Sequence, residues 1–534
     1  MIEIFRGATP EALADVRKEM ELRHTYGECF LLFAMGSQFD GLIVQEVSRL
    51  GFYCVCADPA SVTANDVAKL KPIGIIISGG PASVHAEPPP FDNAIFDLGI
   101  PVLGICLGFQ MWAKHIGVRV RRASHSEFGR HTVRVVRRGK LFTGVRANLL
   151  VLQSHEDEVT LDNRLTFLAS SSSCALSAAS YRHLYGVQFH PEVSDTEYGS
   201  QIFENFCTRI CGAERRFPAR DVAMQKVERL RAVIGERRVV LALSGGCDSS
   251  VVAYLLKQAV RTRSGQIRAV YIKGIDRPDD EAFVKKYFGN EPWLNLAIVD
   301  ATKHYVRALA GIMNWQDKRL AVRDVYHVVL EEQIRAFGAD FIAQGTLYTD
   351  LSESGGGIAS GARKAVIKVH HNTHITFSVP ELTPLDDCAK DAARGIGWDL
   401  GVPEDLLIRH PFPGPGLTVR IEGEVTAERL AMARRLDDIY IQELRSAGLY
   451  EKIWQAGVVV TSSLHTYTKG DDAGTGPVVA YFAVNSVNGF TAQAADLPDE
   501  FCRRLARRFG DEVPGIGAVV ERKSDKPYST IEWG

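Results

Sequence analysis

RRVVLALSGGCDSSVVAYLLKQAV, residues 237–260, decides the fold. A run of apolar, largely β-branched residues ends in two glycines, and a helical pattern starts directly behind them. A second apolar run, QIRAVYIKG at 266–274, follows after a short polar gap. Strand, helix, strand with apolar strands implies a parallel sheet with right-handed crossovers. The same alternation runs from about 29 to 212, through CFLLFAM, PIGIIISGG, PVLGICLG and YGVQFHP. The chain therefore reads as α/β, with two doubly wound α/β domains and then a smaller α+β C-terminal domain. The last part is marked by the helix AERLAMARRLDDIYIQELRSAG and the strand-like GPVVAYFAV. Predicted boundaries are an N-terminal helical extension at 1–28, a domain at 29–212 and the polar linker AERRFPARD at 213–221. A second domain follows at 222–405, and the last, at 406–534, opens on the rigid Pro/Gly hinge RHPFPGPG. Thr9 followed by Pro10 predicts a helix cap and first turn inside the extension.

The chain has 534 residues, too many for one core. Its net charge of −2 supplies no electrostatic ground for nucleic acid or an anionic membrane as partner. No apolar run reaches the ~20 residues that cross a bilayer, and the N-terminus lacks the pattern of a secretory signal. The ten cysteines are scattered with no CxxC pair, and Cys207 and Cys211 have no His or Cys pair to complete a zinc site. Reduced thiols in a cytoplasmic protein are the simplest expectation.

In GICLGFQ, 104–110, glycines flank Cys106 in a G-x-C-x-G pattern at a strand-to-helix turn. By itself Cys106 reads equally as a small buried hydrophobe. As a nucleophile it would gain an oxyanion donor in the Leu107 N–H and stabilisation from the helix N-terminus. GVQFHPE supplies a base, His190, at a strand end, with Glu192 two residues on to hold its tautomer. SGGP, 78–81, is another glycine-rich strand end with an N–H to offer. Three strand ends of one α/β domain converge at the carboxyl edge of the sheet.

LALSGGCDSSVVAYLL, 241–256, reads as a phosphate loop that is not Walker A, since no GK[ST] is present. Gly245 and Gly246 permit close backbone approach, the helix N-terminus favours an anion, and Ser244, Ser249 and Ser250 carry hydroxyls for phosphate oxygens. Asp248 beside a phosphate calls for Mg²⁺ or another cation. Cys247 reads as a buried structural thiol, with sulfur transfer as the alternative.

IIISGGPASV, GICLGFQ, SHEDEV and YGVQFHPEV, in this order, resemble the class I glutamine amidotransferase domain. The resemblance implies a glutaminase in which Cys106 attacks the side-chain amide, His190 shuttles the proton and Glu192 orients it. Gly79 and Leu107 would supply oxyanion N–H groups, and Gln110 would help bind glutamine. Glu156 stands where the family shows Gly, which predicts bulk and charge near the glutamine pocket. SGGCDS resembles the pyrophosphate loop of the N-type ATP pyrophosphatases, which adenylate a carbonyl oxygen and release pyrophosphate. QGTLYTDLSES, VIKVHHN, RHPFPGPGL, GEVT and KPYSTIEW extend the likeness to the GMP synthetase family, from about residue 29 to the C-terminus.

That resemblance implies glutamine-dependent amination of XMP to GMP through an adenylyl-XMP intermediate, with release of AMP and pyrophosphate. The substrates implied are glutamine, ATP and XMP, with Mg²⁺ as cofactor and a homodimer as assembly. Arg409, Lys526 and Glu532 would form part of the nucleotide site, and Lys368, on a lid-like stretch, would reach phosphate. Lys318 and Arg319 read either as pyrophosphate partners or as solvated surface charge. Some positions depart from the family. Lys273 lies near an expected Asp, Thr373-His374-Ile375 replaces a Gly-Gly pair, and the 461–476 loop lacks an expected arginine. These departures keep a second reading open, an amidotransferase or thiolase acting on another purine-like nucleotide. A non-catalytic homologue would have lost Cys106, His190 or Asp248, and all three are present.

Overall fold

The structure, a computed structural model, describes the chain except residues 1–3, 23–27, 38, 86–89, 215–221, 261–264, 348–349, 351–374, 389, 470–471, 487–490 and 527–528. Lys368, residues 373–374 and most of the expected linker lie outside the described residues. The chain divides into two compact units, one ending at Arg220 and one beginning at Asp221.

The first unit is built on ten strands: β1 (Ile4–Phe5), β2 (Phe30–Phe33), β3 (Cys54–Ala57), β4 (Gly74–Ile77), β5 (Val102–Ile105), β6 (Val120–Val135), β7 (Asn148–Val159), β8 (Thr166–Ser170), β9 (Ala178–Tyr181) and β10 (Leu184–Val187). Their order is β1-β3-β2-β4-β5-β10-β9-β8-β6-β7. The half from β1 to β10 is parallel. Its central strands are buried on both faces, which is why FLLF, GIII and VLGI carry no polar residue. From β10 to β7 the pairs are antiparallel, and from Glu127 to Val135 β6 alternates buried or half-buried with exposed residues. The N-terminal extension is more than helical. A helix does run over Pro10–Leu22, with Thr9 Oγ1 accepting from the Ala12 N–H, but the extension also adds β1 to the edge of the sheet. Phe5, Val16 and Met20 are buried in the core, so apolar burial rather than helix propensity holds the segment in place.

The second unit holds a five-stranded parallel sheet of β11 (Val239–Ala242), β12 (Ile267–Lys273), β13 (Leu294–Asp300), β14 (Phe341–Ala343) and β15 (Glu381–Leu382). The order β13-β12-β11-β14-β15 reverses direction between β11 and β14, where ligands of doubly wound sheets bind. A four-stranded sheet follows, with β16 (Gln455–Lys469), β17 (Asp472–Asn485), β18 (Gln493–Ala494) and β19 (Ala518–Glu521). β17 pairs antiparallel with β16 and β18 and parallel with β19. The expected 461–476 loop is thus mainly paired strand, in keeping with its β-branched Thr and aromatic Tyr residues. One apolar cluster joins Ile275, Tyr305 and Val322 to Leu417, Leu436 and Phe501, so residues on both sides of position 405 share a core. Among the described residues no helix is long and apolar enough to cross a membrane. The ten cysteines form no disulfide.

Candidate active sites

β5 ends at Ile105, and the helix Leu107–His115 begins two residues later. Cys106 occupies the turn at φ 50° and ψ −103°. A non-glycine residue there carries strain of about 1–3 kcal/mol, which persists only where surrounding packing enforces it. The flanking glycines are that packing. A Cβ on Gly104 would lie 2.6 Å from the Gly108 backbone, and one on Gly108 would run into the Ile77 carbonyl on β4.

β10 pairs parallel with β5 so that Val187 stands opposite Ile105. The next residues on each strand, Gln188 and Cys106, are therefore neighbours, and His190 follows. His190 is buried, and its Nδ1 lies 2.7 Å from Glu192 Oε1. Thr196 Oγ1 donates to the His190 carbonyl, and the His190 N–H donates to Leu152, which holds the backbone. Burial works against charge on His190, but the Glu192 carboxylate and hydrogen bonding to Cys106 outweigh it and raise its pKa to about 10. A cation beside a sulfur favours the thiolate. Glu192 Oε2 is buried with no partner among the described residues, so this carboxylate serves His190 alone. Gly79, at the end of β4, closes the group. A Cβ there would lie 2.9 Å from His190 Cε1 and 3.5 Å from Cys106 Cβ.

Leu107 opens the helix behind Cys106. Gln110 is buried, and its Nε2 donates to the Asp157 carbonyl at 2.9 Å. Glu156 is exposed on β7. Strand alternation on β7 turns it away from buried His155 and Asp157, and it pairs with Arg122 at 2.6 Å in solvent.

In the second unit, the loop after β11 leads into the helix Cys247–Ala259. Ser244 Oγ lies 3.0 Å from Ser249 Oγ and accepts from the Gly246 N–H, so the loop is braced from within. Ser250 is buried, and its hydroxyl donates to the Gly246 carbonyl, where it braces the first turn. Ser244, Gly246, Asp248 and Ser249 line a cavity of about 350 Å³; Gly245 and Ser250 do not. Arg409, Lys526 and Glu532 line the same cavity. Arg409 donates to the Gly245 carbonyl at 2.9 Å, pairs with Asp280 and lies over the Phe283 ring. Glu532 is bidentate with buried Arg420, at 3.1 and 2.8 Å, and accepts from Gln455.

One cavity residue carries no motif signal. Lys390 Nζ lies 2.8 Å from Asp248 Oδ2, across 142 positions of sequence. Burial opposes its charge, yet Asp248 holds its pKa above the usual lysine value. Asp248 Oδ1 is buried without a partner among the described residues, and a carboxylate oxygen so placed fits a divalent cation. Lys318 and Arg319 are both buried, which excludes solvated surface charge. Lys318 donates to the Ile421 carbonyl, whereas Arg319 lines the cavity and reaches the Gly534 carbonyl. Lys273 lies off the cavity, paired with Glu281 at 3.0 Å and Asp300 at 3.5 Å. Cys247 is buried, and burial pushes its thiol up to about 12, as for an inert structural cysteine.

Three family models match the chain: glutamine amidotransferase class-I over residues 31–210, NAD synthase over 222–318 and GMP synthase C terminal domain over 442–533. Among curated proteins, the chain is similar to GMP synthase [glutamine-hydrolyzing] of Aquifex aeolicus, 39% identical over 94% of this chain and 99% of the relative. The enzyme of the same name from Bacillus cytotoxicus is 35% identical over 95% and 99%. That of Streptococcus thermophilus is 37% identical over 93% and 95%.

Proposed function

Since this chain belongs to the glutamine-hydrolysing GMP synthase family, we propose that its reaction is divided between the two sites described above. The chain is an ATP-using ligase that converts XMP to GMP with glutamine as nitrogen donor. Residues 29–212 form the glutaminase, 222–405 the adenylating part, and 406–534 the part that completes the nucleotide site. In the first, Cys106 Sγ attacks the glutamine amide carbon, and N–H groups of Leu107 and Gly79 receive the oxyanion. His190 gives its proton to the departing ammonia. It then takes one from the water that hydrolyses the thioester. Glu192 keeps the imidazole in line throughout. Gln110 shapes the glutamine pocket from behind.

In the second, the loop from Ser244 to Ser250 receives the pyrophosphate of ATP while the C2 oxygen of XMP takes the adenylyl group. A xanthine oxygen is a poor leaving group and its adenylate a good one, so ammonia adds at C2 and AMP departs. Arg409 and Lys526 suit the anionic groups of the nucleotides. Glu532, through Arg420, fixes the wall against which the base would lie. Mg²⁺ held by Asp248 would neutralise charge on the leaving pyrophosphate. A homodimer in the cytoplasm, with no nucleic acid or membrane partner, completes the proposal. The observation that carries it is one cavity lined by both the phosphate loop and Arg409, Lys526 and Glu532.

Cys106→Ala tests the division. GMP formation should vanish with glutamine and persist with ammonia. Loss of both in a folded protein would sink it. Asp248→Ala should stop pyrophosphate release with either nitrogen source, and surviving release would remove Asp248 from the chemistry.

A further inference from the structure

The hydrogen bonds around Cys106 continue past the triad, and each donor can be assigned in turn. The carbonyl oxygen of Asp157 only accepts. Gln110 Nε2 lies 2.9 Å from it, so Gln110 presents its NH₂ group there. The same NH₂ lies 3.4 Å from the Gln188 carboxamide, which must answer with Oε1. Gln188 then has its own NH₂ on the other side, where Nε2 lies 3.6 Å from Cys106 Sγ. An amide is ordinarily ambiguous between its oxygen and nitrogen; here the partners fix it. Both glutamines are buried, Gln188 completely.

The far end of this chain is stiff. His155 Nδ1 lies 3.0 Å from the Asp157 carbonyl, and its Nε2 lies 3.0 Å from Glu127 Oε2. Burial opposes ionisation of Glu127, but hydrogen bonds from His155, Ser171 and Ser173 prevail and hold it at about 2. The His155 ring is thus held on both sides, by a carbonyl at one nitrogen and a carboxylate at the other. Potential ligand atoms of Glu127, His155 and Cys174 lie within 4.8 Å of one another. Both imidazole nitrogens already have partners within the protein. The cluster instead anchors the segment whose Ser154 carbonyl lies 3.7 Å from Sγ.

We propose that Gln188 is the N–H donor that holds and aims the Cys106 thiolate, and that Gln110 is the positioning residue that keeps its amide turned that way. This rests on Cys106 being the glutaminase nucleophile. The donor acts twice. Before attack it stabilises charge on Sγ. During thioester hydrolysis, water bonds to the acyl carbon and passes a proton to His190, the C–S bond breaks and its electron pair returns to Sγ, where the N–H meets it. Gln110 therefore does more than shape the glutamine pocket. Its amide protons are spent on Asp157 and Gln188.

The test uses the full chain carrying Gln188→Met, Gln188→Glu or Gln110→Met, with Cys106→Ala alongside. Iodoacetamide labelling of the Cys106 peptide is followed by mass spectrometry across pH, together with glutamine hydrolysis and ammonia-dependent GMP synthesis. Loss of one hydrogen bond to a charged atom should raise the labelling midpoint by about one unit in Gln188→Met and slow neutral-pH labelling about tenfold. kcat for glutamine should fall about tenfold, with KM and the ammonia reaction near parental values. Gln110→Met should shift the midpoint less and in the same direction. Gln188→Glu, which keeps the shape and places a carboxylate against the sulfur, should shift it more, and it decides the matter if the Met variant fails to fold. The other titratable groups on the facing elements, His190 and Glu192 beyond β10, His155, Asp157 and Glu158 on β7 and Glu127 on β6, stay in place in all three. A parental labelling profile in the Gln188 variants, with any loss of hydrolysis carried by KM, overturns the proposal. Hydrolysis surviving in Cys106→Ala would instead overturn the nucleophile assignment beneath it.

Discussion

The two sites hold their charges differently. In the first unit, His190 and Glu192 stand two residues apart on one strand end, and the neighbouring strand delivers Cys106. The group is buried, with Cys106 and His190 on adjacent strand ends. In the second unit, the charges around the cavity face one another: Asp248 with Lys390, Arg409 with Asp280, Glu532 with Arg420. On the proposed function, phosphates entering there would compete with carboxylates for the same cations. On the same reading, the nucleophile would be assembled before its substrate arrives, and the polyanion site would exchange internal ion pairs for its ligand.

The strongest way to break this contrast is Lys390→Met. It leaves the Asp248 carboxylate buried without its cation, so pyrophosphate release should fall roughly 100- to 1000-fold with either nitrogen source. Glutamine hydrolysis should persist. If release survives within a few-fold, Lys390 is only a structural counter-ion.

Glu192→Gln probes the preassembled side. It should lower kcat for glutamine about 100-fold. It should also move the alkaline limb of the kcat/KM profile, near pH 10 in the parent, downward. His190 has its folded pKa raised from 6.5 to about 10, so the benefit of its charge is full below about 6.5 and is lost as pH rises through about 10. An unmoved limb would detach Glu192 from the proton on His190.

Gly108→Ala sharpens the same side structurally. A methyl pushed against the Ile77 carbonyl should cost about 1–3 kcal/mol of stability, read as a lower denaturation midpoint for the first unit. Unchanged stability would mean that the elbow relaxes freely and that the Cys106 strain is not enforced by packing. Lys273→Ala should do least. Its ion pairs are partly exposed and lie off the cavity, so both half-reactions should stay within about twofold of the parent. A large loss would put the departure at 273 back into the nucleotide site.

Much of each site was legible because its parts are contiguous. G-x-C-x-G, H-x-E and SGGxDS each place chemistry on a strand end or helix start within a few residues, and local backbone physics then forces the turn. Lys390 was not legible, because it comes from a helix whose sequence carries no phosphate signal and meets Asp248 only through the fold. Gln188 sat inside a recognised motif, yet its role depends on Gln110, 78 positions away. Lys318 and Arg319 read either as pyrophosphate partners or as surface charge because burial cannot be read from a charged pair on a helix; the Ile421 and Gly534 carbonyls receive them.

By itself the sequence determined the α/β class and put the candidate nucleophile and candidate phosphate loop at strand ends, since hydrophobic periodicity and glycine placement act over a few residues. Tertiary structure alone decided who stands beside whom. The register of β10 against β5 puts Gln188 and His190 next to Cys106, and the strand order of the second sheet opens a cavity between β11 and β14. The physical reason is that pairing partners are chosen by the burial of whole strands and helices. No local stretch of chain encodes that choice, and one residue of slip would turn every side chain of a strand to the opposite face.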